Sequence, residues 1–526
     1  MVKLTGNTLT IEDLIKVAYG FEEVSLTSES IEAIKKSRDE IVNISRSDDA
    51  IYGVNTGFGV FADQRISQDQ SIQLNRNLIY SHAVATGDPL PIPIVRAAMV
   101  IRANALAKGV SGIQYEIVET MIGMLNKGVT PFVSSKGSLG SSGDLCLLAQ
   151  IGLILIEDEK MDESKSGRAF YQGEEMSGLK ALRLAGLKQH SFSFKDGLAL
   201  INGATFSAAI SALAVHEARI MVTIADLTTG LSLEALRGIS AAFHPQIHAL
   251  RNMVGQQESA NIIRTMIEGS ELIDSCNLVQ DAYSIRCAPQ VHGSIRDTIA
   301  HVEKIITAEL NAATDNPLMV ADDLIISGGN FHGEPIGLVS DFLAIALSEL
   351  GAISERRTFR LMDHKLNNGL PGMLVDPGVH AGLNSGVMIL QYTAAALVLQ
   401  NQTLAVPDSV RSLPTSANQE DHNANSYNSA INLWMIVENT WKVIAIELYC
   451  AVRAIHIRKI MKPDLHLGTR TGRIHQFMSE TFPYHPDDAQ WRDDMERMYG
   501  QIMNPGEFRN FLLSIVNEEN STNKVT

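Results

Sequence analysis

Long runs of helix-forming residues with few prolines constrain the fold of this chain more than any other feature. They are rich in alanine, leucine, isoleucine, glutamate and methionine, and they cover roughly residues 206–242, 292–314, 333–366, 379–405 and 424–461. Most of these residue types are strong helix formers, whereas proline inside a helix breaks it. The runs predict a mainly α protein built on a large bundle of long helices.

Between residues 336 and 350, apolar side chains recur around most of the predicted helix. A helix that is apolar nearly all round is buried between other helices. Three consecutive alanines at 394–396 permit close contact between helices. Several helices have more apolar surface than the core of one chain needs, which favours assembly of more than one copy.

The first two hundred residues differ in character, because short helical patterns alternate there with glycine-rich connections. We therefore expect a smaller, loop-rich N-terminal part over residues 1–200 and the long-helix bundle over 201–516. The polar end of the chain predicts a disordered tail over 517–526.

Composition narrows the class of partner. The 526 residues are 45% hydrophobic, and 43 basic against 59 acidic side chains give a net charge of −16, which argues against nucleic acid or an anionic membrane surface as partner. The four cysteines lack metal-like spacing, the N-terminus lacks a long apolar segment, and the apolar stretch 145–156 is too short to span a bilayer. We expect a soluble cytoplasmic protein that acts on a small molecule.

Residues 137–144 read Gly-Ser-Leu-Gly-Ser-Ser-Gly-Asp. Gly143 has no Cβ, so its amide nitrogen can approach the carbonyl carbon of Ser141 closely. Attack by that nitrogen closes a five-membered ring, and loss of water that includes the Ser142 hydroxyl leaves an exocyclic methylidene. The segment can thus become a carbon electrophile. On its own it is also compatible with an ordinary turn or a phosphate-binding loop.

Other short segments rich in glycine and polar residues, called polar islands below, lie between the apolar helices. Tyr52 lies on a glycine-rich loop that is flexible enough to act as a lid. Arg286 is suited to bind a carboxylate through two parallel hydrogen bonds. His332 with Glu334, and Glu420 with His422, lack the spacing that puts two metal ligands on one helical face, so we predict no metal site.

Seven such islands occur in an order that resembles the aromatic amino acid ammonia-lyase and aminomutase family. They lie at residues 52–59, 137–144, 202–203, 283–286, 314–317, 329–332 and 415–422. The resemblance implies the cofactor 4-methylidene-imidazol-5-one (MIO), formed autocatalytically from Ser141, Ser142 and Gly143. It also implies a homotetramer whose active sites are built from more than one subunit.

The resemblance further implies roles for individual side chains. Tyr52, with a lowered pKa, is expected to remove the β-proton of an amino acid substrate. Arg286 is expected to hold the substrate carboxylate with help from Asn202, and Tyr283 to support the cofactor and the developing charge. These roles describe elimination of ammonia, in which an electrophile and a positioned base overcome a weakly acidic proton and a poor leaving group.

Within the family, the chain is most similar to the histidine ammonia-lyases. The pair Ser81-His82 matches that branch, whereas tyrosine lyases carry His-Leu and phenylalanine lyases carry Phe-Leu. His82 and Glu420 are expected to bond the two imidazole nitrogens of histidine, with urocanate as the product. The remaining expected pocket residues are Gln280, Phe331 and Met388.

The chain departs from the family pattern at several positions. Ser141 replaces the usual alanine of the cofactor triad, Leu-Cys-Leu-Leu follows Asp144 in place of Leu-Ala-Pro-Leu, Ala288 replaces glutamine, and Tyr80 replaces an aliphatic residue. Ser141 contributes only its backbone carbonyl to the ring, so ring formation is still expected. The exact substrate stays open.

Three alternatives remain at this point. The first is a lyase or 2,3-aminomutase of the same fold that acts on tyrosine, phenylalanine or a modified histidine. The second is a small-molecule kinase, because residues 137–143 resemble the phosphate loop of galactokinase-like enzymes, although Val133 stands where that loop has proline. The third is a helical scaffold without catalytic activity. The last two leave the other islands unexplained.

Overall fold

The computed structural model describes residues 1–45, 50–61, 63–322 and 324–518, which form two compact units. The first unit comprises Met1–His216, Val302–Asp341 and Pro407–Ile431. The second comprises Glu217–His301, Phe342–Val406 and the described residues from Asn432 onward. The single boundary after residue 200 that the sequence suggested stays a prediction.

The described residues contain nineteen α-helices, which confirms the mainly α fold. In chain order they are α1 (Ile11–Ala18), α2 (Ser28–Ile44), α3 (Ser71–His82), α4 (Ile92–Ala107), α5 (Tyr115–Lys127), α6 (Leu145–Leu155), α7 (Gly178–Leu184), α8 (Asp196–Ile201), α9 (Thr205–Ala235), α10 (Pro245–Arg251), α11 (Val254–Met266), α12 (Tyr283–Arg286), α13 (Ala288–Leu310), α14 (Glu334–Met362), α15 (Met388–Leu404), α16 (Ser426–Met461), α17 (Thr469–Thr481), α18 (Trp491–Met503) and α19 (Glu507–Asn517).

Short strands occur in the first unit. They are β1 (Val2–Leu4), β2 (Val24–Leu26), β3 (Thr86–Pro89), β4 (Thr130–Pro131), β5 (Ser134–Lys136), β6 (Arg168–Tyr171), β7 (Glu174–Ser177), β8 (Leu318–Ala321) and β9 (Leu324–Ile326). β1 pairs with β2 in parallel; β3 with β5, β4 with β6, β6 with β7 and β8 with β9 pair antiparallel. The sheets formed by β1 to β7, with their connections, make the N-terminal part loop-rich, as the sequence predicted.

The five long predicted helices correspond to α9, α13, α14, α15 and α16. The largest difference is at the start of α15, which begins at Met388 rather than near residue 379. Gly382 and Gly386 have φ angles of 95° and 64°, which a right-handed helix does not contain. Of the predicted tail, Asn517 is the last residue of α19, and residues 519–526 lie outside the described residues.

Two helices, α9 and α14, are long and apolar enough to cross a membrane by length and composition. Most of the apolar stretch of each is nevertheless buried inside the protein, at 78% and 67%. The core helix of a folded domain has the same composition, so length and hydropathy do not distinguish the two. Their burial supports the core interpretation.

Four helices begin or end at or close to predicted site residues. α3 ends at His82, α6 begins directly after Asp144, α8 ends before Asn202, and α9 begins at Thr205. α6 packs against α3 and α8, which brings these helix termini to one region of the unit.

A buried ion pair organises the core of the second unit. The Glu447 carboxylate accepts hydrogen bonds from Arg357 Nε at 2.6 Å and Nη2 at 2.9 Å, and from the hydroxyls of Ser232 and Ser354 at 2.7 Å each. Both charged side chains have no solvent exposure. A carboxylate without water requires such a set of donors, because an unpaired buried charge is costly.

Replacing Arg357 with methionine should therefore lower the free energy of unfolding of the protein by ~3–5 kcal/mol, because Glu447 is left charged and buried. Lys462→Met is the matched control, since Lys462 pairs with Glu271 at 2.9 Å while both side chains stay in solvent. Loss of that pair should cost no more than ~1 kcal/mol. The measurement is urea unfolding of both variants, and equal losses would contradict the structural role of the buried pair.

Candidate active site

The glycine-rich segment 137–144 connects β5 to α6 and packs against the turn between α8 and α9. Gly143 has a φ of 83°, and a Cβ on it would lie 2.1–2.2 Å from backbone atoms of Gly203. No side chain fits in that space, so glycine is required at residue 143 by both conformation and packing. The predicted ring-forming nitrogen thus lies in a backbone-to-backbone contact.

Two hydrogen bonds join these segments. The Asp144 N–H donates to the Gly203 carbonyl oxygen at 2.9 Å, and the Gly203 N–H donates to the Ser142 carbonyl oxygen at 3.4 Å. The peptides on both sides of Gly143 are therefore held by one residue of the opposite turn. This arrangement fixes the backbone where ring closure was predicted.

Asp144 ties the segment to the first turn of α9. Its buried carboxylate accepts hydrogen bonds from the Ser138 hydroxyl at 2.7 Å and from the Ser207 N–H at 2.8 Å. Burial raises the pKa of Asp144 to about 6, although these donors act in the opposite direction. A carboxylate at a helix N-terminus is also stabilised by the helix dipole.

The Ser142 hydroxyl, which the predicted chemistry removes, donates to Glu420 Oε1 at 2.5 Å. The second Glu420 oxygen accepts a hydrogen bond from the Thr415 hydroxyl at 2.7 Å. The Ser141 hydroxyl donates to the side-chain carbonyl oxygen of Asn423. Ser141, which replaces the usual alanine of the family, therefore has a buried partner of its own. It does not compete with Ser142 for Glu420.

Tyr52 lies on the predicted lid loop, and its phenol oxygen accepts a hydrogen bond from the Gly59 N–H at 3.3 Å. Burial raises the pKa of Tyr52, and the negative charge of Glu420 raises it further, whereas only the Gly59 hydrogen bond lowers it. The predicted lowering of this pKa is therefore wrong for the described chain. The phenol is protonated at neutral pH.

His82, at the end of α3, has a defined tautomer. Its Nδ1 lies 2.8 Å from the Leu78 carbonyl oxygen, which can only accept, so Nδ1 carries the proton. Burial lowers the pKa of His82, so the ring is neutral at neutral pH with Nε2 as a hydrogen-bond acceptor.

Two cavities of about 600 and 610 Å³ share Tyr52, Gly59, Ser142, Asn202 and Glu420 in their walls. The first also contains Ser141 and Phe331, and the second also contains His82. Volumes of this size accommodate a small-molecule substrate. The structure thus brings together seven of the predicted residues: Tyr52, His82, Ser141, Ser142, Asn202, Phe331 and Glu420.

Of the other five predicted residues, Gly143 belongs to the first unit and follows Ser142 directly. The remaining four, Gln280, Tyr283, Arg286 and Met388, belong to the second unit. Tyr283 is 70% exposed, and the Arg286 guanidinium lies 4.6 Å from the centre of the Tyr283 ring. Arg286 Nε donates to the Asp281 carbonyl oxygen at 2.9 Å. None of the four is among the described residues that line the two cavities.

Sequence reasoning missed several contributors to the site. Asn316 lines the first cavity, and its side-chain oxygen accepts hydrogen bonds from the Gly328 N–H at 2.7 Å and the Ser327 hydroxyl at 3.1 Å. Thr415 orients Glu420, and Asn423 bonds Ser141. Asn316 and Thr415 fall inside the recognised islands, but no spacing rule indicates which of their neighbours they contact.

Comparison with known proteins places the chain in a defined group. A histidine ammonia-lyase from Caldanaerobacter subterraneus subsp. tengcongensis is 48% identical over 482 residues, covering 91% of this chain and 92% of that protein. The crystal structure of histidine ammonia-lyase from Trypanosoma cruzi has a TM-score of 0.87 at 34% identity, covering 98% and 95% of the two chains. The structure of tyrosine aminomutase from Streptomyces globisporus has a TM-score of 0.90 at 31% identity, covering 98% of each chain.

The family model described as aromatic amino acid lyase matches residues 9–480, which is most of the chain. This match agrees with the family predicted from the sequence. It also agrees with the structure, in which Tyr52 and Ser142 line the same cavity and Gly143 has no room for a side chain. The chain belongs to the aromatic amino acid lyase family.

Proposed function

We propose that this protein is a histidine ammonia-lyase, which eliminates ammonia from L-histidine to give urocanate. The observation that carries the proposal is the convergence of Ser142, Tyr52, His82 and Glu420 on shared cavities. The high identity to histidine ammonia-lyases over most of the chain supports the same conclusion.

Membership of the family implies the MIO cofactor, and the residues of this chain fit it. Gly143 has no space for a side chain, and the Ser142 hydroxyl lies in the cavity wall beside Glu420. Formed autocatalytically from Ser141, Ser142 and Gly143, MIO would supply an electrophilic carbon to the reaction. Ser141 keeps its hydroxyl, which stays bonded to Asn423.

The chemistry of His82 and Glu420 supports an imidazole ring as the substrate side chain. Both are acceptors, since His82 presents its unprotonated Nε2 and Glu420 its carboxylate, so a ring bonded to both must donate from two N–H groups, as the imidazolium form of histidine does. Loss of the Ser142 hydroxyl removes the donor that Glu420 Oε1 has in the uncyclised chain. That oxygen then accepts a hydrogen bond from a ring N–H of the substrate.

The remaining roles follow from the same arrangement. Tyr52 removes the β-proton in its phenolate form, which the positive charge of the substrate ammonium favours over the neutral phenol. Asn202 helps hold the substrate, and its buried Oδ1 has no partner among the described residues. Phe331 forms part of the cavity wall.

The protein assembles as a homotetramer in which other copies supply Gln280, Tyr283, Arg286 and Met388 to each active site. Exposed apolar side chains on two long helices support assembly. They are Leu338, Phe342 and Ile345 on α14, at 39–45% exposure, and Ile389, Tyr392 and Leu399 on α15, at 59–64%. Their spacing of three, four or seven residues places them on one face of each helix, and exposed apolar faces of this kind mark interfaces. The four free cysteines are consistent with a reducing cytoplasm, where we expect the enzyme to act.

Ser142→Ala should abolish ammonia release from histidine, because the methylidene carbon is the Ser142 Cβ, and we expect kcat to fall by ~10³-fold or more. Ser141→Ala is the matched control, since only its backbone enters the ring, and it should keep most of the activity. The measurement is steady-state ammonia release by both variants. A fully active Ser142→Ala enzyme would exclude the cofactor assignment.

Tyr52→Phe should lower kcat by ~10²–10⁴-fold, since loss of a general base has effects of that size. The ultraviolet absorbance of MIO should be unchanged. Tyr115→Phe provides the control, because that phenol bonds Glu119 at 2.9 Å and lies outside the cavities. Rates and KM are measured for histidine, and an effect on KM alone would show that Tyr52 only binds substrate.

Histidine should be turned over far better than phenylalanine or tyrosine, because a phenyl ring leaves His82 and Glu420 without partners at ~1–3 kcal/mol each. His82→Leu should narrow this preference by about tenfold. The measurement is kcat/KM for the three amino acids on both proteins, with NMR of the products to distinguish urocanate from a β-amino acid. A wild-type preference for tyrosine, or an unchanged ratio in His82→Leu, would overturn the histidine assignment, and a β-amino acid product would indicate an aminomutase.

A further inference from the structure

Arg102 has a position that none of the roles above explains. It lies on α4, its side chain is fully buried, and its Nη1 donates to the carbonyl oxygen of Asn202. Its Nε and Nη2 have no hydrogen-bond partner among the described residues. A buried guanidinium that makes one main-chain contact is costly, so the contact it makes requires explanation.

The Asn202 carbonyl belongs to the same peptide unit as the Gly203 N–H. That N–H donates to the Ser142 carbonyl oxygen at 3.4 Å. Because a peptide unit is planar, fixing its oxygen with Arg102 also fixes the direction of its N–H. Arg102 and Ser142 therefore hold opposite ends of one rigid group.

The packing around Gly203 prevents this peptide from moving away. A Cβ on Gly203 would lie 2.4 Å from Thr314 Oγ1 and 2.9 Å from Arg102 Nη1. On its other side, the Gly203 backbone fills the space where Gly143 would carry a side chain. The guanidinium therefore lies directly behind the turn that contacts the cofactor segment.

We propose that Arg102 is a positioning residue for cofactor formation, which orients the Asn202–Gly203 peptide so that its N–H activates the Ser142–Gly143 amide for ring closure. The inference rests on the proposed function, because it concerns how Ser141, Ser142 and Gly143 become MIO. Arg102 acts through Gly203 and does not touch the substrate.

The chemistry explains why this amide needs help. An amide nitrogen is a poor nucleophile because its lone pair is delocalised onto the carbonyl oxygen. As Gly143 loses its N–H proton, negative charge collects on the Ser142 oxygen, which is the atom that the Gly203 N–H contacts. A cation bonded to the carbonyl end of the donor peptide polarises that peptide and strengthens its N–H as a donor.

The atoms of the reaction balance without another reactant. The Gly143 nitrogen bonds to the Ser141 carbonyl carbon, and the Ser141 oxygen leaves as water with the N–H protons of Ser142 and Gly143 while a C=N bond forms to the Ser142 nitrogen. The Ser142 hydroxyl then leaves as a second water with the Ser142 α-proton. Arg102 stabilises charge in the first of these steps and is unchanged at the end.

Two acidic groups near Arg102 oppose the effect of its burial without holding it elsewhere. Burial lowers the pKa of Arg102, whereas Asp315, which forms an ion pair with Lys195, and Glu309 act in the opposite direction. Neither forms a hydrogen bond to Arg102 among the described contacts, so the Asn202 carbonyl is its directional partner.

Arg96 is a second buried arginine of the same helix, and its contacts are purely structural. It lies on α4, and it is as fully buried as Arg102. Its guanidinium donates to the carbonyl oxygens of Val17 at 2.9 and 3.1 Å and of Leu125 at 3.1 Å, which cross-links other elements. Arg96 is therefore the matched control for loss of a buried arginine.

The test compares Arg102→Met, Arg102→Lys and Arg96→Met with the wild type during cell-free synthesis. Intact mass follows the loss of two waters over time, ultraviolet absorbance follows MIO, and thermal unfolding reports the fold. Both Arg102 variants should lose water at least about tenfold more slowly than the wild type. Arg102→Lys should be less affected than Arg102→Met, because lysine keeps the positive charge. Arg96→Met should mature at the wild-type rate with a lower melting temperature.

A folded Arg102→Met or Arg102→Lys protein that loses both waters at the wild-type rate would overturn the proposal. If Arg102→Met does not fold, Arg102→Lys decides, because it keeps the buried charge and most of the volume. An Arg96→Met protein that matures as slowly as the Arg102 variants would also overturn it. A wild-type protein without any mass deficit would instead contradict the proposed function itself.

Discussion

The contact between Gly143 and Gly203 is the constraint on which the site depends. Two backbone segments that are distant in the sequence approach until Gly143 has no room for a Cβ, and Thr314 and Arg102 leave none on Gly203. The approach is maintained by two main-chain hydrogen bonds and by Asp144, whose carboxylate is anchored at the first turn of α9. The mainly α fold supplies the rigid helix ends that hold these segments, and the loops between them supply the reactive atoms.

The electrostatics of the cavity walls are consistent with a reaction of an amino acid. Tyr52 and His82 are both uncharged at neutral pH because burial raises the pKa of the phenol and lowers that of the imidazole. Glu420 contributes a negative charge in the same space, which acts on both groups. The site therefore favours a substrate that brings positive charge and hydrogen-bond donors, and an ammonium group with an imidazole N–H provides both.

Much of this was predictable from the sequence, for identifiable reasons. Helix periodicity and the scarcity of proline gave the five long helices, and the ordered islands gave the family and seven residues that share the cavities. The pKa of Tyr52 was predicted with the wrong sign, because a pKa depends on burial and on neighbouring charges. Arg102 was missed for a related reason, since its importance comes from one carbonyl group contributed by a distant turn.

We propose that Ser141, Ser142 and Gly143 are converted into an electrophile within this backbone contact. The most direct measurement is the mass of the wild-type tryptic peptide 137–160, released by cleavage after Lys136 and Lys160. Cofactor formation should make this peptide lighter than its sequence by two waters, with fragmentation assigning the loss to residues 141–143. An active enzyme whose peptide has the unmodified mass would show that no electrophile forms there.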